Sequence, residues 1–305
     1  MRHSTKQVVE GLLLTVAATF IWSVVPICIK AILRALDPFT IALSRFVLAT
    51  LVLSIFMYRA EVRRLDRTDK LWMLLGGFGM MSNYTLYNIA LQYTTASAAN
   101  LVVQVEVVGL IILGRLVLKE YIGRWKLWGI LLTVTGISMV FYGRGSFGAI
   151  TQSQYLLGNM IMVAAGIMWS FYGLAHKALS NRGAPIAQAL VGIFGIAALL
   201  AAGPSAVMFE QRGTITPLVI VCVLVIGTLS TGLAYLLLGR AFKLIDASTV
   251  GATTAMLPVF TILMARIFLN EVITGWLMAG AALVILGILT MARQDVSERG
   301  RQHAG

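Results

Sequence analysis

The amino-acid sequence predicts an all-α membrane protein with ten transmembrane helices, arranged as two inverted five-helix repeats. The first observation behind this prediction is the composition. Of the 305 residues, 59% are hydrophobic and 12% are charged, whereas about a quarter of the residues of a soluble domain are charged. The other two observations are an internal repeat and a one-sided distribution of cations.

The internal repeat joins residues 96–137 to residues 247–288. The two stretches align without a gap and agree at 13 of 42 positions. Several matches are not explained by apolar composition: Arg115 with Arg266, Glu120 with Glu271, Trp125 with Trp276, Gly129 with Gly280 and Gly136 with Gly287. A fixed offset of 151 residues indicates a duplication. The starts of the two halves agree at an offset of 147, so the chain is predicted to contain two copies of one unit, 1–150 and 151–305.

Ten stretches are long and apolar enough to cross a bilayer, which takes about 20 residues of helix. They lie near residues 9–30, 38–58, 71–91, 96–117, 125–142, 155–176, 185–206, 216–239, 247–268 and 273–292. Short polar turns separate most of them. A longer linker rich in Gly, Ser and Gln, Gly143 to Gln154, follows the fifth span and marks the boundary between the repeats.

Lys and Arg lie mainly on one side of the predicted bundle. With a cytoplasmic N-terminus, the cytoplasmic segments contain seventeen of them, and the outer loops contain only Arg34, Arg144 and Arg212. Cytoplasmic loops of membrane proteins are enriched in these cations. Both termini are therefore predicted to be cytoplasmic.

Five helices per repeat is an odd number, so the second repeat must cross the membrane in the opposite direction. Where the first repeat has Lys119, Arg124 and Lys126, the second has Asn270, Gly275 and Leu277. The cations are thus absent where inversion places the loop outside. Inverted repeats are typical of secondary transporters, whose substrate site lies near the midplane between the halves. Glu120 and Glu271, kept at both surfaces, are predicted to make structural helix-to-turn contacts.

Several short motifs are distributed over nearly the whole chain. They are Phe20-Ile21-Trp22-Ser23 with Lys30, Pro38 and Arg45, the third-span run Asn83-Tyr84-Thr85-Leu86-Tyr87-Asn88, and the acids Glu120 and Glu271 that close the fourth and ninth spans. This combination resembles the drug/metabolite transporter superfamily, in particular its EamA-like branch of ten-helix exporters. The resemblance implies export of amino acids or related carboxylated or aromatic metabolites across an inner membrane by alternating access. Multidrug or cation efflux is the alternative within the same fold.

The sequence departs from that branch at one motif. The branch often carries a Glu-Pro pair midway along the fourth or ninth span. Here the first repeat keeps the acid, as Glu106-Val107, and the second keeps the proline, as Leu257-Pro258.

Arg45 is the first candidate for substrate binding. It lies roughly 10 Å into the second span at 1.5 Å per residue, and Gly192 occupies the equivalent position in the second repeat. A charge in the apolar interior costs roughly 2.5 to 3.5 kcal/mol on insertion scales, so it needs a partner or a water-filled cavity. Arg45 is expected either to bind an anionic group such as a carboxylate, or to pair with backbone carbonyls or Glu106.

Glu106 is the only acidic residue predicted to lie deep in the membrane and the only candidate for coupling to protons. On a continuous helix it lies about 140° from the polar stripe formed by Ser97, Asn100 and Gln104. If that stripe lines the pathway, Glu106 is expected to point mostly elsewhere. A buried Glu106 that is neutral or paired with Arg is the alternative.

Other polar and aromatic side chains recur at helical spacing. The candidates for a substrate cavity are Trp22, Arg45, Asn83, Tyr84, Tyr87, Asn100, Gln104, Trp169, Tyr172 and Tyr235. Such a set suits a zwitterionic or flat substrate, and interhelical hydrogen bonds of about 0.6 kcal/mol each are the alternative role. Pro26 and Pro258 are candidates for gating, because each removes a helical hydrogen bond near midspan.

Other functional classes find little support. The sequence contains no His-Glu-x-x-His, no paired intramembrane Asp and no Cys/His cluster, so neither an enzyme, a metal site nor a cofactor is predicted. The net charge of +12 is spread between apolar spans, which argues against nucleic acid. A passive channel would need rings of polar side chains. The expected partners are a small-molecule substrate and lipid, with proton or exchange coupling, in a monomer or homodimer.

The predicted orientation can be tested by cysteine labelling in intact cells. Single substitutions Ser146→Cys and Asp66→Cys, in a background without the native cysteines, place one thiol in the fifth turn and one in the second. A membrane-impermeant maleimide should label the first in intact cells and the second only after permeabilisation. The reverse pattern would contradict the orientation.

Overall fold

The computed structural model describes residues 5–58, 62–119, 121–142, 152–245, 250 and 253–302. Helices account for nearly all of these ranges. They are α1 (Thr5–Ile32), α2 (Pro38–Tyr58), α3 (Arg67–Ala90), α4 (Ala96–Val102), α5 (Val105–Val117), α6 (Arg124–Tyr142), α7 (Gln152–Asn181), α8 (Ile186–Met208), α9 (Pro217–Leu224), a π-helical segment (Val225–Leu233), α10 (Ala234–Leu244), α11 (Leu257–Leu269) and α12 (Gly275–Gln302). The fold is that of the predicted all-α membrane protein with ten spans.

The observed helices differ from the predicted spans in several places, including the ninth span, where α11 begins only at Leu257. The fourth span is broken into α4 and α5, and the eighth contains the π-helical segment. α12 continues past residue 292, and α7 begins inside the predicted linker, whose residues 143–151 lie outside the described ones. Six helical stretches in the described ranges are long and apolar enough to cross a membrane, and two further apolar helices are shorter.

The fifth and tenth spans, α6 and α12, pack closely in opposite directions. A Cβ on Gly136 would lie 2.7 Å from the carbonyl oxygen of Gly280, and one on Gly129 would lie 2.6 Å from that of Gly287. The early residue of one helix thus faces the late residue of the other, so the helices are antiparallel. Because they are equivalent in the repeat, the second repeat is inverted relative to the first. The glycine pairs allow this close contact, because small residues let two helix backbones approach each other.

The turns at the two ends of the bundle show the same inversion. At one end the α1–α2 turn meets the segment after α8, where the N–H of Arg212 donates to the carbonyl of Ala35 over 2.9 Å. At the other end the α2–α3 turn meets the α7–α8 turn, where Nη1 of Arg63 donates to the carbonyl of Arg182 over 2.6 Å. The first turn of each repeat therefore lies at the opposite end from its equivalent.

An ion network bridges the two repeats at the end that holds Arg63 and Arg182, which we call the basic end. Asp69, fully buried in the first turn of α3, pairs with Arg63 and accepts a 2.7 Å hydrogen bond from Nε of Arg182. Gln188 exchanges two hydrogen bonds with the backbone of Arg63, at 2.7 and 3.1 Å. The network joins α3 of the first repeat to α7 and α8 of the second.

Glu271 joins the repeats at the opposite end. Its carboxylate accepts hydrogen bonds from the backbone N–H groups of Ala96, at 2.6 Å, and Ser97, at 3.0 Å. This is the contact of an acid with a helix N-terminus, which is electrostatically favourable. It follows Asn270 (φ 52°), whose equivalent in the first repeat, Lys119 (φ 56°), has the same left-handed backbone. Glu120 itself lies outside the described residues.

Alanine substitution of two glycines should change the stability of the protein in opposite directions, because only one of the two lies in the α6–α12 contact. Gly136→Ala should destabilise the protein by about 1 to 3 kcal/mol, because the new methyl group meets a backbone carbonyl that no rotamer change can move. Gly195→Ala in α8 is the matched control, since a Cβ there meets only the methyl of Thr50 at 3.8 Å. It should be neutral or stabilising by about 0.4 to 1 kcal/mol. Thermal unfolding of both purified variants in detergent measures this, and equal effects would contradict the close crossing.

Candidate functional site

A cavity of about 110 Å³ lies between the two repeats. Its walls come from α1, α2, α3 and the broken fourth span of the first repeat, and from α7, the eighth span and α11 of the second. The lining residues are Trp22, Val25, Arg45, Asn83, Tyr84, Tyr87, Asn100, Val103, Glu106, Trp169, Ser230, Tyr235 and Leu257. The volume is enough for several water molecules, and the wall combines aromatic rings with one cation and one acid.

Arg45 is buried, with 3% of its surface exposed, and lies against Tyr84 of α3. Its guanidinium carbon is 3.7 Å from the centroid of the Tyr84 ring, which is a cation–π contact. Its Nε donates to Oγ1 of Thr231 over 3.2 Å. The equivalent position is Gly192, where a Cβ would lie 2.5 Å from the sulfur of Met73. The cation is therefore a feature of one repeat only.

Arg45 has no carboxylate partner within 4 Å among the described residues. Glu106 lines the same cavity without an ion pair to it, so the expected alternative of an Arg45–Glu106 pair is wrong for this conformation. The only hydrogen bond from Arg45 to described residues uses Nε. Its two terminal nitrogens therefore have no hydrogen-bond partner among the described residues and can bond to a molecule in the cavity.

Glu106 faces the cavity because the fourth span is not a continuous helix. Between α4 and α5 the N–H groups of Gln104, Glu106 and Val107 bond to carbonyls three residues back, at 3.3, 2.9 and 3.1 Å. This tighter winding changes the angular relation on which the helical-wheel argument depends. The expectation that Glu106 points away from the wall that carries Asn100 is therefore wrong, since both residues line the cavity.

α7 packs directly on the break. A Cβ on Gly166 would lie 2.8 Å from the carbonyl oxygen of Val103, and Ser170 donates a 3.0 Å hydrogen bond to the carbonyl of Glu106. Broken spans whose ends face a central site are typical of secondary transporters. Here the break places the acid at the wall of the cavity.

The ninth span is interrupted at the equivalent place. A turn at Ala255 and Met256 precedes α11, and the offset of 151 aligns Ala255 with Gln104. Pro258 lies in the first turn of α11, where a missing N–H is not costly, so the expectation of a lost midspan hydrogen bond is wrong. Leu257 stands at the position of Glu106 and lines the same cavity.

Aromatic side chains form one wall. Trp22 donates from Nε1 to the carbonyl of Ser230 over 3.0 Å and packs edge-on against Tyr235, with ring centroids 5.3 Å apart. Tyr172 lies behind this wall, buried, and contacts the rings of Tyr235 and Trp169 at 5.8 and 5.5 Å. It supports the wall and does not line the cavity.

The amide side chains are fixed by the surrounding helices. Nδ2 of Asn83 donates to the carbonyl of Ala165 over 2.7 Å. Oδ1 of Asn100 accepts from the hydroxyl of Tyr87 over 2.9 Å, and its Nδ2 donates to Thr261 of α11. These bonds join α3, α4, α7 and α11 around the cavity, so each amide also has the packing role that the sequence leaves open.

Besides Tyr172, three residues that the sequence marks as candidates do not line the cavity. Gln104 is buried at the α4–α5 break, Pro26 is buried within α1, and Pro258 starts α11. Sequence reasoning missed Val25, Val103, Ser230 and Leu257, which line the cavity, and Thr231, which contacts Arg45. A run of small polar residues in the eighth span, residues 227–232, was the signal that could have found Ser230 and Thr231.

The described residues contain no group of three or more His, Cys, Asp or Glu side chains placed to hold a metal ion. Cys28 and Cys222, which are far apart in the sequence, are buried free thiols that lie near each other between α1 and α9. They lie in the hydrophobic core.

Comparison with known proteins agrees with this architecture. The EamA-like transporter family matches residues 9–142 and again residues 156–293. The chain belongs to the EamA-like transporter family. It is a multi-pass membrane transporter, and the family match recurs once in each half of the chain, as the repeat does.

Relatives with similar length extend across bacteria and archaea. An uncharacterized transporter of Haemophilus influenzae is 27% identical over 86% of this chain and 85% of its own. The uncharacterized inner membrane transporter YhbE of Escherichia coli is 27% identical over 83% and 79%. An uncharacterized transporter of Archaeoglobus fulgidus is 27% identical over 92% and 97%. A solved crystal structure with 20% identity covers 94% of this chain and 98% of its own with a TM-score of 0.68, so the two share the fold.

Proposed function

We propose that this EamA-family transporter is a secondary carrier that exports amino acids or related carboxylated and aromatic metabolites by alternating access. The observation that carries the proposal is the unpaired guanidinium of Arg45 in a cavity between the repeats. A desolvated cation without an anionic partner costs several kcal/mol. A substrate carboxylate that accepts from its two terminal nitrogens would supply that partner with bidentate geometry.

Glu106 supports a zwitterionic substrate. Glu106 lines the same cavity, and within the described ranges its side chain forms no ion pair and no hydrogen bond. One unpaired cation and one unpaired acid on the wall of a single cavity match the carboxylate and ammonium groups of an amino acid. The aromatic wall of Trp22, Trp169 and Tyr235 suits an apolar or flat side chain.

Contacts between the repeats at both ends of the bundle support alternating access. The basic end is closed by the Arg63, Asp69 and Arg182 network. The opposite end is closed by Arg212 on the α1–α2 turn and by Glu271 on α4. We infer that the two sets of contacts break in turn, so that the cavity opens to one side at a time.

The membrane setting follows from the cations and the relatives. We infer that the chain lies in the inner membrane, because YhbE is an inner membrane transporter, and that both termini are cytoplasmic, because of the positive-inside distribution. The carrier works as a monomer or homodimer, and proton or exchange coupling would use Glu106 or the substrate itself.

A carrier of cations or of many drugs is the second candidate within the fold. The free carboxyl of Glu106 and the aromatic wall favour it, because aromatic faces and an acid together recognise cations. In that case Arg45 would repel the substrate. A passive channel is the third candidate, and saturation and counterflow separate a carrier from a channel.

The test is counterflow in proteoliposomes with the twenty standard L-amino acids. Wild type should accelerate exchange of at least one of them, with saturation. Arg45→Ala should abolish its binding, and Arg45→Lys should weaken it by at least about tenfold, because Lys keeps the charge but loses the planar fork.

Arg240→Ala is the control, since Arg240 is an exposed arginine of α10 paired with Glu10 at 3.1 Å. It should leave binding unchanged. Folding of each variant is verified by monodisperse elution and thermal unfolding. Folded Arg45→Ala with wild-type affinity would falsify the carboxylate assignment, and stronger binding of organic cations by the same variant would favour the second candidate.

A further inference from the structure

We propose that Thr231 is a positioning residue that aligns the Arg45 guanidinium toward the substrate. The inference rests on the proposed function, because it concerns how Arg45 presents its terminal nitrogens to a carboxylate. Thr231 does not line the cavity. It acts through Arg45, and the π-helical segment of the eighth span is the feature that places it there.

The π-helical segment gives the Thr231 hydroxyl a fixed orientation. Oγ1 donates to the carbonyl of Ile226, five residues back, over 2.7 Å. The hydroxyl proton is thereby used within the segment. The lone pairs of Oγ1 can therefore accept hydrogen bonds from residues outside the segment. They accept from Nε of Arg45 at 3.2 Å and, at a longer 3.5 Å, from the hydroxyl of Tyr84. π-helical turns inside α-helices frequently mark functional sites.

Two glycines let α2 approach the segment closely enough for this contact. A Cβ on Gly227 would lie 2.6 Å from Cδ1 of Leu48, and one on Gly232 would lie 3.3 Å from Cγ1 of Val52. Leu48 and Val52 follow Arg45 on α2 by about one and two turns. The small residues of the segment therefore set the distance between Arg45 and Thr231.

The result is a guanidinium held in two ways. The Tyr84 ring lies 3.7 Å from its carbon and fixes its face, and Thr231 fixes its edge at Nε. A planar guanidinium with one face and one edge occupied has a single direction left for its two terminal nitrogens. That preorganised fork favours a planar carboxylate over a neutral amide of the same size.

Removal of the Thr231 hydroxyl would leave the Nε edge of the Arg45 guanidinium without its hydrogen-bond partner. In Thr231→Val the side-chain shape is nearly kept, but Nε becomes a buried donor without a partner, and the guanidinium can turn to satisfy it. Thr231→Ser keeps the hydroxyl. Thr228 provides a matched control in the same segment, because its hydroxyl also donates to a carbonyl, that of Leu224 at 2.6 Å, but it does not line the cavity or contact Arg45.

The experiment measures binding of the twenty standard L-amino acids and their C-terminal amides to the purified full-length chain. The readout is the ratio of dissociation constants between each amide and its acid. Thr231→Val should reduce this ratio about tenfold for the acids that wild type binds. Thr231→Ser should restore it, and Thr228→Val should leave it unchanged. In an Arg45→Lys background, Thr231→Val should not reduce the ratio of dissociation constants any further, because no guanidinium Nε remains to be aligned.

The outcomes separate this inference from the proposed function. A wild type that prefers acids over amides, with a Thr231→Val ratio equal to wild type, overturns the positioning role alone. An equal loss of acid and amide affinity in Thr231→Val also overturns it, because that pattern indicates general distortion of the cavity. A wild type that shows no preference for acids overturns the proposed carboxylate site and this inference with it.

Discussion

The burial of one guanidinium constrains the rest of the cavity. Arg45 has 3% of its surface exposed, and no carboxylate lies within 4 Å of its guanidinium among the described residues, so the protein must stabilise its charge by other means. The Tyr84 ring and the Thr231 hydroxyl supply part of that stabilisation. The cavity must hold water or an anionic ligand to supply the remainder, because an unsolvated cation is unstable in an apolar interior. The buried position of Arg45 therefore requires a cavity that can hold water or a ligand beside the guanidinium.

The inverted scaffold explains where this cavity lies. Equivalent spans pack antiparallel at the α6–α12 crossing, and the fourth and ninth spans are interrupted at equivalent positions that both face the centre. At the two interruptions the repeats differ, with Glu106 in one and Leu257 in the other. They differ again where Arg45 corresponds to Gly192. The two repeats share one scaffold, and the departures from symmetry place Arg45 and Glu106 in the first repeat only.

The sequence predicts the scaffold well because the internal repeat leaves matched residues at a fixed offset in a single chain. The antiparallel glycine contact and the Glu271 contact with the start of α4 follow from matched residues at a fixed offset. The breaks in the fourth and ninth spans and the π-helical segment do not, because helical periodicity assumes continuous winding. For this reason the helical-wheel prediction for the direction of Glu106 was wrong, and the sequence did not indicate the contact between Thr231 and Arg45.

The most direct test of the central claim is an experimental structure of the protein with the amino acid that gives the strongest counterflow. Both carboxylate oxygens should lie within about 3 Å of the terminal nitrogens of Arg45, with the ammonium group toward Glu106 and the side chain against Trp22 and Tyr235. Arg45 should keep its Nε contact with Thr231. A ligand bound elsewhere, with the Arg45 guanidinium turned toward a protein carboxylate or a lipid phosphate, would contradict the account.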